Sequence, residues 1–297
     1  GLTVDELKYY NPGLLAGIHP GDAVALAGDF RPSTRRIMAA AAAAIMDLGY
    51  QPANCGNIPT PAVVNYAIAE GIASLMVTGS HIPDDRNGIK FNRPDGEVLK
   101  SDEAGIREQV VSVARNLFDD SGALAERREP PAQDSSAYRR YIARYLDFFP
   151  AGCLAGRRVL VYEHSTVAAR ALTEIFAGLG ADVIRRGYSE AFVPVDTETM
   201  RPEDEALALD WAAAEHFDLL VSADGDGDRP LVGQGDAQVP AHRERRPEGA
   251  QVHLRVQGRR EAQPVRPQAL GDAQDRSAHR GAARPRRRRR EAGPQRP

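Results

Sequence analysis

Short apolar runs and helical repeats alternate along this chain in two successive passes, and that alternation is what most restricts its fold. Ala23 to Ala27 reads as a buried strand ending at Gly28-Asp29. After "RPST" a helix is expected with Ile37, Ala41, Ile45 and Leu48 on one face, closed by Gly49. A short strand through Ala53 to Cys55 follows. The next helix takes Thr60 as its N-cap, Pro61 in its first turn and Gly71 just past its end. Ile72 to Val77 is a third strand, running into "TGSHIPDDRNGIKF". A second pass repeats the order. It has a strand at Arg158 to Tyr162, then a helix with Ala168, Leu172, Ile175, Phe176 and Leu179 inward. Gly180 closes that helix, Asp182 to Arg186 is a strand, and a helix runs through Leu207 and Trp211. The last strand, Leu219 to Ala223, enters "DGDGDRP". Such alternation predicts an α/β protein: two tandem three-layer α/β/α domains with mostly parallel sheets. The expected bounds are 1–120 and 135–233. The polar segment 121–134, with Pro130-Pro131 and a helix from Ser136 beyond it, is a linker.

From Gln234 onward this pattern stops. Residues 234–297 hold no Ile, Phe, Tyr or Trp and two Leu, so no helix or strand face is expected there. They carry 16 Arg against 7 acidic residues, with Arg286 to Arg290 in a row. This is a low-complexity basic tail, expected to be disordered, with the composition of a frameshifted GC-rich reading. Its rival is a basic segment binding nucleic acid through phosphates, ranked well behind. The first 233 residues are net acidic and argue against a nucleic-acid partner. Cys55 and Cys153 suit two small buried thiols in a reducing compartment. No apolar run is long enough to span a membrane, and the start has neither the charge nor the apolar stretch of a secretion signal, so a cytoplasmic location is expected. The sequence begins without an initiator Met.

In open α/β sheets ligands gather outside the carboxyl ends of strands, where both polar loops are expected. In "DGDGDRP", Asp224, Asp226 and Asp228 alternate with glycines, so three carboxylates can converge. Converging anions need a cation among them, and hard oxygen donors suit Mg²⁺. A calcium-binding EF-hand would require Gly and Glu where Arg229 and Gly235 stand. A solvated acidic turn is the alternative. Arg229 is either a fork for phosphate or a surface partner of an aspartate. In the first loop a G-x-S-x-G elbow would need Gly at Ile82. Neither a G-x-x-x-x-G-K-[ST] loop nor a strand-borne G-x-G-x-x-G occurs. Taken alone, Ser80 reads as a turn serine, and its neighbour His81 is badly placed to take its proton. Lys90 is one of only three lysines. It is an ordinary exposed lysine or an amine that meets phosphate or a sugar hydroxyl.

Together "GDFRPST", "GNIPTPAV", "TGSHIPDDRNGIKF" and "DGDGDRP" resemble the α-D-phosphohexomutase family, its bacterial and archaeal phosphomannomutase branch above all. The resemblance covers about the first 230 residues. It implies that Ser80 carries a phosphoryl group and that Asp224, Asp226 and Asp228, with the Ser80 phosphate, hold Mg²⁺. It also implies active-site roles for Lys90 and Arg229, and a supporting one for His81. The implied reaction interconverts mannose 6-phosphate and mannose 1-phosphate, with glucose phosphates as further substrates, through a hexose bisphosphate that serves as activator and intermediate. Family members have four domains, whereas sequence for two is present; the sugar-reading and phosphate-gripping loops of the third and fourth are not found, nor is the family's opening motif. An alternative is therefore a non-catalytic remnant that binds metal or sugar phosphate. A Mg²⁺-dependent aspartyl phosphatase of the haloacid dehalogenase type ranks last, because no lysine follows Lys100.

Overall fold

The computed structural model describes residues 21–80, 82–83, 85–108, 110, 116–126, 128–197, 200–235 and 252–256. The first pass gives β1 (Ala23–Gly28), α1 (Thr34–Asp47), β2 (Gln51–Gly56), α2 (Thr60–Glu70) and β3 (Ala73–Val77). It continues into β4 (Ile89–Arg93), β5 (Gly96–Glu97) and α3 (Lys100–Arg107). Helix α4 (Ser136–Phe148) leads to the second pass: β6 (Arg158–Tyr162), α5 (Ala169–Gly178), β7 (Asp182–Arg186), α6 (Pro202–Ala214), β8 (Leu219–Ala223), β9 (Pro230–Gly235) and β10 (Val252–Val256).

The two sheets share one plan. The first runs β2-β1-β3-β4-β5 and the second β7-β6-β8-β9-β10. In each, the three core strands are parallel, as their apolar runs and helical crossovers require. Each sheet then gains an antiparallel pair that periodicity did not announce. Strand β4, "IKFNR", is only half-buried and carries two cations, so its alternation is weak. Strand β9 opens on Pro230 and includes two glycines. Strand β10 lies within the stretch where no strand was expected.

Side chains of alternating parity on β1 and β3 point to opposite faces. Val24, Leu26, Leu75 and Val77 pack under Ile37, Ala41 and Ile45 of α1. Ala25, Ala27 and Met76 pack under Val63 and Ala67 of α2. Ala137 and Tyr138 of α4 and Ala171 of α5 close that same cluster, so the second unit contributes to the core of the first. In the second unit Leu160, Tyr162 and Leu220 face Ala208 of α6, and Val159, Val161 and Val221 face Leu172 and Phe176 of α5.

Three local expectations are corrected. Leu48 is exposed because α1 ends at Asp47 and the chain turns at Gly49 in the left-handed region. Thr60 does not cap α2: Pro59 occupies that position, and the Thr60 hydroxyl points to a carboxylate of the second unit. Cys55 is buried, but Cys153 lies in an exposed turn after α4 and is not a core thiol. Between α3 and α4 the described residues hold one isolated bridge, Phe118 to Leu124. The end of that segment lies along β2, where the Asn54 amide donates to the Pro131 carbonyl and Gln133 to that of Cys55.

Candidate active site

The carboxyl ends of β1 and β3 diverge where the chain order reverses, the position at which open sheets accept ligands. Asp29 follows β1 and is fully buried as a hub. Its carboxylate accepts the Thr34 hydroxyl at 2.6 Å and the Thr78 hydroxyl at 2.8 Å, together with the Arg31 backbone N–H and Nε, each at 3.0 Å. The Thr78 hydroxyl in turn accepts the backbone N–H of Ser80 at 2.8 Å. Ser80 sits at φ 53°, in the left-handed region that a side-chain-bearing residue enters only when its surroundings hold it there.

The end of β8 supplies the other half. The Asp224 carbonyl accepts Gly227 N–H, and the Arg229 carbonyl accepts Asp224 N–H, which folds "DGDGDR" into a tight turn. Gly227, at φ 74°, cannot carry a side chain here, since a Cβ would stand 2.9 Å from Cβ of Ala168. Thr166 clamps the turn from behind, its hydroxyl donating to the Asp224 carbonyl at 2.6 Å.

The two halves meet at the serine. Ser80 Oγ donates to Asp224 Oδ2 at 2.8 Å and accepts Arg229 Nη1 at 2.6 Å. Lys90, on β4 opposite Met76, donates to Asp226 Oδ2 and Asp228 Oδ2, both at 2.6 Å. Thr60 adds its hydroxyl to Asp226 Oδ2 at 2.5 Å and its N–H to the Asp226 carbonyl at 2.8 Å. Ser80, Lys90, Arg229 and the three aspartates are thus all brought together. His81 lies outside the described residues.

Electrostatics follow from this crowding. Burial, then the neighbouring Asp226 charge, pushes the Asp224 carboxyl up to about 6. Burial works against the charge on Lys90, but Asp226 and Asp228 outweigh it and hold its pKa above the ordinary lysine value. One oxygen of each aspartate lies within 4.8 Å of one oxygen of the others. Asp226 Oδ1 is buried and has no hydrogen-bond partner. A carboxylate oxygen in that position lacks a proton or cation to face, and three hard oxygen donors this close suit a divalent ion of the Mg²⁺ type. The donor set fits the metal.

Beside the turn a crevice of about 820 Å³ opens along the carboxyl ends of β2, β6 and β7, lined by Asn57, Glu163, Ser165, Thr166 and Ser189 among others. Its size lies in the range of small-molecule pockets. Asp29, Arg31, Thr60 and Thr166 were not expected from sequence to belong to the site. The signal for the first two was their place directly after a buried strand in "GDFRPST"; Thr60 and Thr166 gave none, since their partners lie far along the chain.

Comparison with known proteins yields a consistent picture. Residues 13–116 match the family described as phosphoglucomutase/phosphomannomutase, alpha/beta/alpha domain I. A phosphomannomutase of Sinorhizobium fredii is 43% identical over 216 residues, covering 72% of this chain and 45% of that protein. One of Salmonella muenchen is 41% identical over 209 residues, covering 70% of this chain and 42% of that protein. The chain therefore spans less than half the length of these relatives. A crystal structure of a phosphoglucomutase/phosphomannomutase family protein from Burkholderia thailandensis superposes with a TM-score of 0.58 at 23% identity, covering 76% of this chain and 49% of that one, and supports the fold.

Proposed function

We propose, for a chain that belongs to the phosphoglucomutase/phosphomannomutase family through its α/β/α domain I at residues 13–116, a phosphohexomutase reaction in which Ser80 carries the phosphoryl group. Mannose 6-phosphate and mannose 1-phosphate are the substrates that the phosphomannomutase relatives favour, with glucose phosphates as a secondary pair. The observation that carries the reading is the position of Ser80 Oγ, between Asp224 Oδ2 of one α/β unit and Arg229 Nη1 beside it, 2.8 and 2.6 Å away.

In the forward step a sugar hydroxyl oxygen bonds to the phosphorus of phospho-Ser80 while the bond from phosphorus to Ser80 Oγ breaks. The hydroxyl proton ends on Ser80 Oγ, which is again a free serine hydroxyl, and the product is a hexose bisphosphate. After the sugar turns over, Ser80 Oγ takes the other phosphoryl group and the isomeric monophosphate departs. Phosphoryl transfer depends on positioning and on positive charge facing the phosphoryl oxygens. Arg229 stabilises the charge on Ser80 Oγ as the bond breaks, because its N–H already points there. Lys90, held as an ammonium by two carboxylates, is suited to meet phosphoryl oxygens rather than to accept a proton. Asp224, Asp226 and Asp228 are the residues that would hold Mg²⁺, whose charge, when bound, offsets that of the transferring group.

The test is incubation with a hexose bisphosphate labelled in phosphorus. Wild-type chain should take label at Ser80, and Ser80→Ala should take none. Equal label on both proteins removes Ser80 from the mechanism. A chain that takes label but shows no flux between the monophosphates would be a remnant that binds and loads without turnover.

A further inference from the structure

Arg31 is buried three residues beyond β1, and all five N–H groups of its guanidinium are engaged. Nε donates to Asp29 Oδ2 at 3.0 Å. Nη1 donates to the carbonyls of Pro83 at 2.6 Å and Arg86 at 3.1 Å. Nη2 donates to the carbonyls of Ser80 at 2.8 Å and Ile82 at 2.6 Å. Only one of the five bonds serves the ion pair. Asp29 already accepts two hydroxyls and a backbone N–H, so the pair alone does not explain a buried arginine here.

The other four bonds gather backbone carbonyls of the serine loop around a single cation. Those four dipoles turn their negative ends to one point and would repel one another without it. Two further features fix the plane of the fork. A Cβ at Gly79 would stand 2.7 Å from Arg31 Cζ, so the loop backbone lies directly on the guanidinium. On the opposite unit, the Phe192 ring covers Arg31 Cζ at 4.3 Å, and its edge borders Gly225 of the aspartate turn.

We propose that Arg31 is the positioning residue of the serine loop: by holding the Ser80 carbonyl it keeps that residue in its left-handed conformation, with Oγ turned toward Asp224 and Arg229. This rests on the reading of Ser80 as phosphoryl carrier. A lysine can still neutralise Asp29, but it lacks the planar fork that reaches four carbonyls.

Arg31→Lys therefore separates positioning from charge, and Gly79→Ala displaces the guanidinium with Arg31 intact. Two readouts apply to each: hydrogen–deuterium exchange across segment 78–88, and the rate of phosphoryl transfer to Ser80 from labelled hexose bisphosphate. Both variants should exchange faster in that segment while β1, β3 and β8 stay protected. Labelling should slow by roughly 100-fold, the loss that a 1 Å misplacement produces. Guanidinium ion at millimolar concentration should speed labelling of Arg31→Ala and leave wild type unchanged, which a purely structural role would not give. If Arg31→Ala does not fold, the other two variants decide. Unaltered exchange in 78–88, or full-rate labelling despite a loosened loop, overturns the proposal. A wild type that takes no label sinks the carrier reading alone, and the exchange measurement still decides whether Arg31 holds the loop.

Discussion

His164 shows how closely single residues are constrained around the strand ends. It follows β6 at φ 23°, and its Nε2 lies 2.8 Å from the Ala223 carbonyl, which fixes the proton on that nitrogen. Nδ1 is buried without a partner, and burial pushes the imidazole pKa down to about 4. As pH falls below the ordinary value near 6.5, the unfolded chain binds a proton that the native state refuses. This contribution to stability is therefore complete above about pH 6.5 and is lost progressively toward pH 4, by up to about 3 kcal/mol. Asp224 acts with opposite sign in the same window, since its raised pKa lets the native state take a proton first. The difference between wild type and His164→Gln isolates the histidine. Urea unfolding at pH 7 and pH 4.5 should show a larger loss for wild type, and equal losses would refute the assignment. At this scale Ser80, Arg229 and the aspartates stood out because they lie beside the ends of apolar strands, and Lys90 because the chain has only three lysines. Arg31 was not, because its partners are carbonyls, which every sequence has and none advertises.

Elements were legible where burial is one-sided or complete. The core strands β1, β3, β6 and β8 are mostly apolar, interrupted by Ser74, Arg158 and Ser222, and α1 shows a helical stripe. Helix α3 buries no residue, and β4 is held by register with β3 more than by its own composition. Neither leaves a periodic trace. Helix α2 was bounded correctly at its end by Gly71, which adopts φ 66° and donates its N–H to the Ile68 carbonyl. A Cβ there would meet nothing within 4 Å, so Gly71→Ala isolates the conformational cost of the left-handed region. Chemical denaturation should show a loss of about 1 kcal/mol, with no change in Ser80 labelling. A neutral result would mean that the turn relaxes to another geometry.

At the scale of the molecule, two sheets with the same strand order place their switch points against each other. Neither unit contains the site: one brings the serine, the lysine and the loop that Arg31 holds, and the other brings the acidic turn and Arg229. Sequence showed two similar units and two unusual loops, but their docking depends on contacts such as Thr60 with Asp226, 166 positions apart. Among the described residues no helix is long and apolar enough to cross a membrane.

The bond from Ser80 to Asp224 joins positions 144 residues apart, and this sets a timetable for synthesis. At ribosomal speeds of about 5–20 residues per second, roughly 7–30 s separate the emergence of the serine from that of its aspartate. During that interval the first unit can fold around a hydroxyl that has no chemical partner. On the proposed carrier reading, Ser80 is then a latent acceptor, silent until the second unit closes on it. Refolding should reproduce the delay: far-UV ellipticity should recover before Ser80 becomes competent for labelling, and simultaneous recovery would show that the two units fold as one.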